Sequence, residues 1–267
     1  MPPEPTHPRA AHFAPGTQPV LLVHGSHHKM GTVYIHTVLR ELCQRHDLGL
    51  LNGSQADLDA DVDVFFQNNS RIAVDSLPPF RGSHMVRDLR DVVISGYRYH
   101  QWTREEWASR PMSSPQVQRL GCEDVAGDQP SYKELLNRVD PERGIGIEIR
   151  RVGLGLAASL RRWDFTDERF LEIRFEDLMA APADGFERIL RWYGLTDEIV
   201  DSGREVAARR SLESINARPV EQRPPHARSG GSTGKWQELF TDEHKRELKE
   251  LAGDLLIDLG YAEDDAW

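Results

Sequence analysis

The feature that most constrains the fold is a short apolar run that leads through a polar loop into an amphipathic helix. The run occupies residues 20–23, and the loop, which contains two glycines, occupies residues 25–31. Apolar side chains then recur at three- and four-residue spacing at Ile35, Val38, Leu39, Leu42 and Cys43. An unbroken apolar run is typical of a strand buried on both faces, and the later spacing predicts a helix that packs against a sheet.

The same alternation of strands and helices continues along the chain. Further strands are predicted at residues 48–51, 62–66, 72–74, 84–86 and 170–175. Further helices are predicted at residues 88–97, 146–160 and 186–192. This order predicts an α/β fold in which helices flank a central, mostly parallel sheet.

Local composition suggests where the domain begins and where a long loop lies. Residues 1–17 are rich in proline, histidine and alanine without periodicity, which predicts a flexible tail. Residues 18–267 are enough to bury one sizeable core, and we predict a single domain there. Residues 112–131 mix serine, glycine, proline and acidic residues, so we predict a surface loop, and whether it acts as a lid stays open.

Composition also argues against several classes of protein. No apolar run approaches the roughly 20 residues of a membrane helix, and no signal peptide is visible, so we expect a cytoplasmic protein without a membrane span. A net charge of −10 argues against nucleic-acid binding, which usually requires a basic face. Cys43 and Cys122 lack the spacing of a metal site, and we predict that both are ordinary thiols.

The loop after the first predicted strand has the arrangement of an anion site. A helix that starts directly after such a loop offers unpaired backbone N–H groups and a positive helix end. Lys29 adds a mobile positive charge. In a Walker loop the lysine follows the last glycine, whereas Lys29 precedes Gly31 and Thr32, so the order argues against a nucleoside triphosphatase. Taken alone, the residues fit equally well a solvated lysine before an ordinary helix start.

The order of residues in this loop resembles the 5'-phosphosulfate-binding loop of the sulfotransferase family, which commonly reads Lys-Ser-Gly-Thr-Thr-Trp. The resemblance implies that the loop binds the donor 3'-phosphoadenosine 5'-phosphosulfate (PAPS). The implied donor-binding residues here are His28, Lys29, Met30, Gly31, Thr32, Val33 and Tyr34. Val33 replaces the second threonine of the family pattern, and Tyr34 takes the place of the tryptophan that stacks on adenine.

Residues 86–95 resemble a second family segment, Arg-Asp-Pro-Arg-Asp-Val-Val-Val-Ser, with Leu89 in place of the proline. The resemblance implies that Arg87 and Ser95 bind the 3'-phosphate of the donor. An arginine at the end of a strand and a serine on the next helix supply the charge and the directed donors that a terminal phosphate requires.

Two later segments also resemble the family in order and spacing. Residues 174–178 are similar to the family's Tyr-Glu-Asp-Leu segment, which implies that Phe175 lies near the nucleotide. Residues 228–236 look like the late loop Arg-Lys-Gly-x-x-Gly-x-Trp-Lys. The implied 3'-phosphate ligands of this loop are Arg228, Ser229 and Gly230, with Ser229 in place of the usual lysine.

The resemblance implies in-line transfer of a sulfuryl group to a hydroxyl or amine of a small-molecule or glycan acceptor, which leaves adenosine 3',5'-bisphosphate (PAP). Lys29 would stabilise the charge that develops on the leaving phosphate, and no metal is implied. A kinase-like phosphoryl-transfer enzyme and a non-catalytic nucleotide-binding protein of the same fold stay open as alternatives. The acceptor and the oligomeric state are not indicated.

The general base that a hydroxyl acceptor needs is not fixed by the sequence. The family's Thr-His-Leu-Pro segment has its nearest counterpart at residues 75–78, where Asp75 is our candidate base, although it also fits a residue that caps the following turn. Rival candidates are His27, His28, an aspartate within residues 57–63, and Glu148.

Overall fold

The computed structural model describes residues 10–127, 129–217, 219 and 233–267. The chain divides into two compact units, and each unit combines two stretches of sequence. The first is drawn from Met1–Val86 and Phe165–Arg223, and the second from Arg87–Asp164 and Pro224–Trp267. The single domain expected for residues 18–267 stays a prediction.

The first unit contains a five-stranded parallel sheet with the strand order β2-β3-β1-β4-β5. The strands are β1 (Leu21–Gly25), β2 (Leu50–Asn52), β3 (Val64–Gln67), β4 (Phe80–Val86) and β5 (Phe170–Arg174). Every residue of the central strand β1 is buried, as its unbroken apolar run predicts. The parallel sheet flanked by helices confirms the predicted α/β fold.

Helices make up most of the remaining described chain. The α-helices are α1 (Thr32–Arg45), α2 (Leu89–His100), α3 (Glu106–Ser109), α4 (Ser114–Arg119), α5 (Glu123–Ala126), α6 (Tyr132–Arg138), α7 (Pro141–Arg151), α8 (Ala158–Leu160), α9 (Phe175–Ala180), α10 (Pro182–Trp192), α11 (Asp197–Arg209), α12 (Leu212–Asn216), α13 (Trp236–Leu239) and α14 (Asp242–Asp258). Short 3₁₀-helices are found at Ala10–His12, Gln55–Asp57 and Val74–Ser76, and a π-helix at Val152–Ala157 joins α7 to α8. No helix formed by the described residues is long and apolar enough to cross a membrane.

The helix α1 buries the apolar stripe that its spacing predicts. The buried residues are Ile35, Val38, Leu39, Leu42 and Cys43. Through this stripe α1 packs within the first unit, where the helix also contacts α11. Both cysteines are free and buried, and burial raises the pKa of Cys43 to about 12, so its thiol stays protonated near neutral pH.

The strand predicted at residues 72–74 is wrong. A 3₁₀-helix, Val74–Ser76, occupies part of this segment. The side chain of Gln55 accepts a hydrogen bond from the N–H of Ala73 at 2.8 Å and donates one to its carbonyl at 3.0 Å. This side-chain amide therefore satisfies the backbone groups that a neighbouring strand would otherwise pair.

The long loop predicted at residues 112–131 is also wrong, because the described part of it contains α4 and α5. The start of α4 carries a capping box between Ser113 and Gln116, with a proline in the first turn. The two ends of the segment are joined by an isolated bridge between Pro111 and Ser131.

Other boundaries also differ from the predictions, since β4 begins at Phe80 rather than at residue 84 and α10 at Pro182 rather than at residue 186. Phe13 lies in the segment expected to be a tail, yet it is buried and forms a bridge with Leu195. The helix predicted at residues 146–160 begins earlier, at Pro141, because Asp140 caps it by accepting a hydrogen bond from the N–H of Arg143.

Candidate active site

The loop between β1 and α1 is closed by hydrogen bonds around the carbonyl of His27. This carbonyl accepts from the backbone N–H of Met30 at 3.0 Å and from the hydroxyl of Thr32 at 2.9 Å. Because the Thr32 proton is used there, the hydroxyl of Ser26, 2.9 Å away, is the donor in the contact between these two side chains. The loop is therefore held in one compact turn by its own residues.

Left-handed backbone conformations shape the second half of the loop. Lys29 has a φ of 67° and Gly31 a φ of 80°. A Cβ atom on Gly31 would lie 2.8 Å from the sulfur of Met85 and 2.9 Å from Cδ2 of Phe175. Only glycine meets both the conformation and the lack of space. A non-glycine residue such as Lys29 in this conformation is a form of local strain that clusters at functional sites.

The loop leads directly into the N-terminal end of α1, which is the positive end of the helix. Gly31 occupies the N-cap position without a side-chain cap, and the first turn of α1 contains no acidic residue. The backbone N–H groups of the first helical turn have no intrahelical acceptor, and the helix dipole adds partial positive charge there. Together with Lys29, this end of α1 is chemically suited to bind a phosphate or sulfate group.

The structure brings Phe175, predicted to lie near the nucleotide, against Gly31 of this loop. Tyr34 lies in the first turn of α1, where its hydroxyl donates to the carbonyl of Ala207 at 2.9 Å and its ring packs edge-on against Phe186. Val33 is 48% exposed. Two segments that are far apart in sequence, the loop and the start of α9, therefore meet in the first unit.

A chain of two histidines and a glutamate lies beside the loop, and the sequence did not indicate it. His27 Nε2 lies 3.0 Å from His84 Nε2, and His84 Nδ1 lies 2.8 Å from Glu172 Oε2. The strands β1, β4 and β5 place these residues side by side, since His84 is in register with Gly25 on β1 and with Glu172 on β5. His27 is the second residue after β1 and is only 2% exposed.

The two histidines of this chain are electrically neutral at pH 7. Burial lowers the pKa of His84 to about 3, even though the carboxylate of Glu172 is adjacent. Burial, with a smaller contribution from His84, lowers the pKa of His27 to about 3 as well. The contact of His84 with Glu172 is therefore an N–H donating to a carboxylate rather than an ion pair.

The second unit contains the residues predicted to bind the 3'-phosphate. Arg87 is 6% exposed and directly follows β4, and Ser95 lies in the second turn of α2. The start of α2 contacts the late loop, because Asp91 accepts from the N–H of Gly234 at 2.6 Å.

The guanidinium of Arg90 adds to this contact, since it lies 4.1 Å from the ring centre of Trp236. Arg90 also binds Asp88, the N-cap of α2, through both carboxylate oxygens. Two family-like segments therefore meet within the second unit. The predicted ligands Arg228, Ser229 and Gly230 lie outside the described residues.

The predicted bases occupy different surroundings. Asp75 is exposed on the 3₁₀-helix Val74–Ser76. Its neighbours Ala73 and Ser76 line a cavity of about 1210 Å³ in the first unit. The aspartates within residues 57–63 are exposed except Asp63, which is buried and accepts from the N–H of Gly49 at 2.6 Å. His28 is half-buried in the loop.

Glu148 has the surroundings of a structural residue. It is fully buried, and its carboxylate accepts hydrogen bonds from His100, Tyr132 and both Nε and Nη2 of Arg151. Burial opposes ionisation, but Arg151 and His100 outweigh it and hold the pKa of Glu148 well below its usual range. Four protein donors therefore occupy the lone pairs that a general base would need.

Within the part of the chain that the structure describes, no group of three or more histidine, cysteine, aspartate or glutamate side chains is arranged to hold a metal ion.

Comparisons with known proteins give a fold but no close relative. No model of a known protein family matches the sequence, and no curated protein matches it. The structure is similar to that of mouse sulfotransferase SULT7A1 complexed with PAP, with a TM-score of 0.52 and 14% sequence identity over 92% of this chain and 87% of that chain. The chain therefore shares the fold of this sulfotransferase, which confirms the fold that the sequence resemblance implied.

Two structures of retinol dehydratase also match. One is a complex with androsterone and the inactive cofactor PAP, and the other a complex with retinol and PAP. Their TM-scores are 0.46 and 0.45 and their identities 13% and 12%, over 91% of this chain and 82% of each of theirs.

Proposed function

We propose that the protein is a sulfotransferase that uses PAPS as its donor. The observation that carries this proposal is the loop between β1 and α1, where a left-handed glycine caps a helix whose positive end carries no competing acid. The same loop has the residue order of a phosphosulfate-binding loop, and the fold is that of SULT7A1, a sulfotransferase solved with PAP. A kinase-like function finds no comparable support, because Lys29 precedes rather than follows the glycine.

The backbone of the loop is the part we assign to the 5'-phosphosulfate. The N–H groups of Gly31 and Thr32 are directed donors, whereas the Thr32 hydroxyl already donates to the carbonyl of His27. Lys29 would stabilise the negative charge that develops on the 5'-phosphate as the bond from its bridging oxygen to sulfur breaks. Phe175 and Tyr34 are assigned to the nucleotide.

We assign the 3'-phosphate to Arg87 and Ser95 because residues 86–95 resemble the family segment that binds it. Burial of Arg87 supports it, since a buried guanidinium is a strong partner for a phosphate. We propose a small-molecule or glycan acceptor.

A thermal-shift titration with PAP tests this function without knowledge of the acceptor. A ligand present at 100 times its Kd stabilises the folded state by about 2.7 kcal/mol, which for a chain of this size raises the melting temperature by roughly 5–10 °C. ATP with magnesium should produce a smaller shift. Equal shifts from the two nucleotides, or no shift with PAP, would contradict the proposal.

A further inference from the structure

We propose that His27, His84 and Glu172 form a proton relay that activates the acceptor in the proposed sulfuryl transfer, with His27 as the general base. This inference depends on the proposed function, because the relay is useful only if an acceptor proton is lost. The contacts His27 Nε2 to His84 Nε2 at 3.0 Å and His84 Nδ1 to Glu172 Oε2 at 2.8 Å carry the inference.

The carboxylate fixes where each proton lies. A carboxylate only accepts, so His84 carries its proton on Nδ1 and donates it to Glu172. The Nε2 atom of neutral His84 is then an acceptor, and His27 must carry its own proton on Nε2. The remaining nitrogen of His27, Nδ1, therefore holds the lone pair, and no hydrogen bond to Nδ1 is found among the described residues.

His27 itself belongs to the loop that we assign to the phosphosulfate, two residues before Lys29. Its carbonyl anchors the turn through Met30 and Thr32, so the ring belongs to the same rigid turn as Lys29. A base held by a hydrogen-bond partner, which is itself oriented by a third group, is the general arrangement of activated catalytic residues.

The relay also explains how a weakly basic imidazole can accept a proton. Burial makes a charged His27 unfavourable, so a proton should not remain on it. Transfer onward through His84 ends at Glu172, whose side chain is 29% exposed and can exchange protons with water.

One bond to sulfur forms and one breaks in the transfer step. The acceptor oxygen bonds to sulfur, and the bond from sulfur to the bridging oxygen of PAPS breaks, with its electron pair left on the 5'-phosphate of PAP. The acceptor proton passes to Nδ1 of His27, the Nε2 proton of His27 passes to Nε2 of His84, and the Nδ1 proton of His84 passes to Glu172. His27 is the catalytic residue here, and His84 and Glu172 are positioning residues.

Nitrogen-15 NMR of the full chain labelled at histidine tests the arrangement without any acceptor. We expect His27 to be neutral and protonated on Nε2, and His84 to be neutral and protonated on Nδ1, at pH 7. The Glu172→Gln variant keeps a carbonyl oxygen that can accept from His84, so both tautomers should persist. The Glu172→Leu variant removes the acceptor, and the His84 tautomer should change. A proton on Nδ1 of His27 in the wild type would overturn the relay.

Transfer from radiolabelled PAPS to 4-nitrophenol, an alkyl alcohol and a monosaccharide gives the catalytic readout. We expect His27→Gln to lower turnover by about 10²–10⁴-fold, and Glu172→Gln to lower it as well even though both tautomers stay intact. The matched control is Glu168→Gln, which removes the same charge from an exposed glutamate just before β5 and should leave turnover unchanged.

One result of the transfer assay would overturn the relay, namely a His27→Gln rate within threefold of the wild type. If Asp75→Asn loses turnover in that case, Asp75 is the base instead. Failure of PAP to bind would instead overturn the proposed function while the NMR tautomers stayed as described, so the two failures are distinguishable.

Discussion

Replacing Gly31 by alanine should destabilise the protein more than any ordinary glycine substitution. The left-handed backbone at this position costs a residue with a Cβ about 1–2 kcal/mol. The new Cβ would also lie 2.8 Å from the Met85 sulfur and 2.9 Å from the Phe175 ring, and both side chains are buried. Overpacking of this kind costs about 1–3 kcal/mol, so the total loss is about 2–5 kcal/mol. Since proteins are stable by about 5–15 kcal/mol, this loss is large.

Substitutions at two other glycines separate the cost of the left-handed backbone from the cost of overpacking. Gly16 has a φ of 81°, and a Cβ added there would meet no atom within 4 Å, so Gly16→Ala should cost only the backbone share of about 1–2 kcal/mol. Gly155 lies in the π-helix with open space around the position of its Cβ, so Gly155→Ala should stabilise the protein by about 0.5–1 kcal/mol. Urea denaturation followed by tryptophan fluorescence measures all three. A Gly31→Ala variant no less stable than Gly16→Ala would refute the close packing of the loop on Phe175.

Three further predictions concern charge. Lys29→Ala should bind PAP within a modest factor of the wild type yet transfer sulfate about 10²–10³-fold more slowly in a single turnover, and a rate within threefold would contradict its role. Arg87→Ala should weaken donor binding in calorimetry while transfer persists at saturation, and an unchanged affinity would remove it from the site. Burial lowers the pKa of His24, His27 and His84 to about 3 in the folded state, against 6.5 in the unfolded chain, so the unfolded state binds more protons between these values. Stability present above pH 6.5 should therefore fall as the pH is lowered through this window, and equal urea midpoints at pH 7.5 and 5 would contradict the neutral burial of these residues.

The sequence predicts the elements that its own local pattern encodes. The stripe on α1 has the period of a helix, and the short unbroken run at residues 20–23, bounded by a polar loop, favours a buried strand; both elements are found in the structure. The strand predicted at residues 72–74 is wrong because its outcome depended on a side chain 18 positions away, that of Gln55. The helix α4 was missed although Ser113 and Gln116 form a capping box, since six residues give too little apolar periodicity to detect.

In the candidate site, too, the sequence predicts what consecutive residues form but not which distant segments come into contact. The loop was predicted because its residues are consecutive, whereas only the family resemblance implied that Phe175 lies near the nucleotide, and the structure brings Phe175 against Gly31. The chain from His27 through His84 to Glu172 joins residues 57 and 88 positions apart. Their contact depends on the register of three parallel strands, which spacing along one sequence does not determine. Glu148, a rival base by sequence, is occupied by partners from α2, α6 and its own helix for the same reason.

The central claim is that the loop between β1 and α1 holds the 5' end of the donor, and a crystal structure of the complex with PAP tests it most directly. We expect the 5'-phosphate within hydrogen-bond distance of the backbone nitrogens of Gly31 and Thr32, with the Lys29 ammonium on the same phosphate. A 5'-phosphate bound away from the start of α1, with these nitrogens facing only water, would contradict the claim.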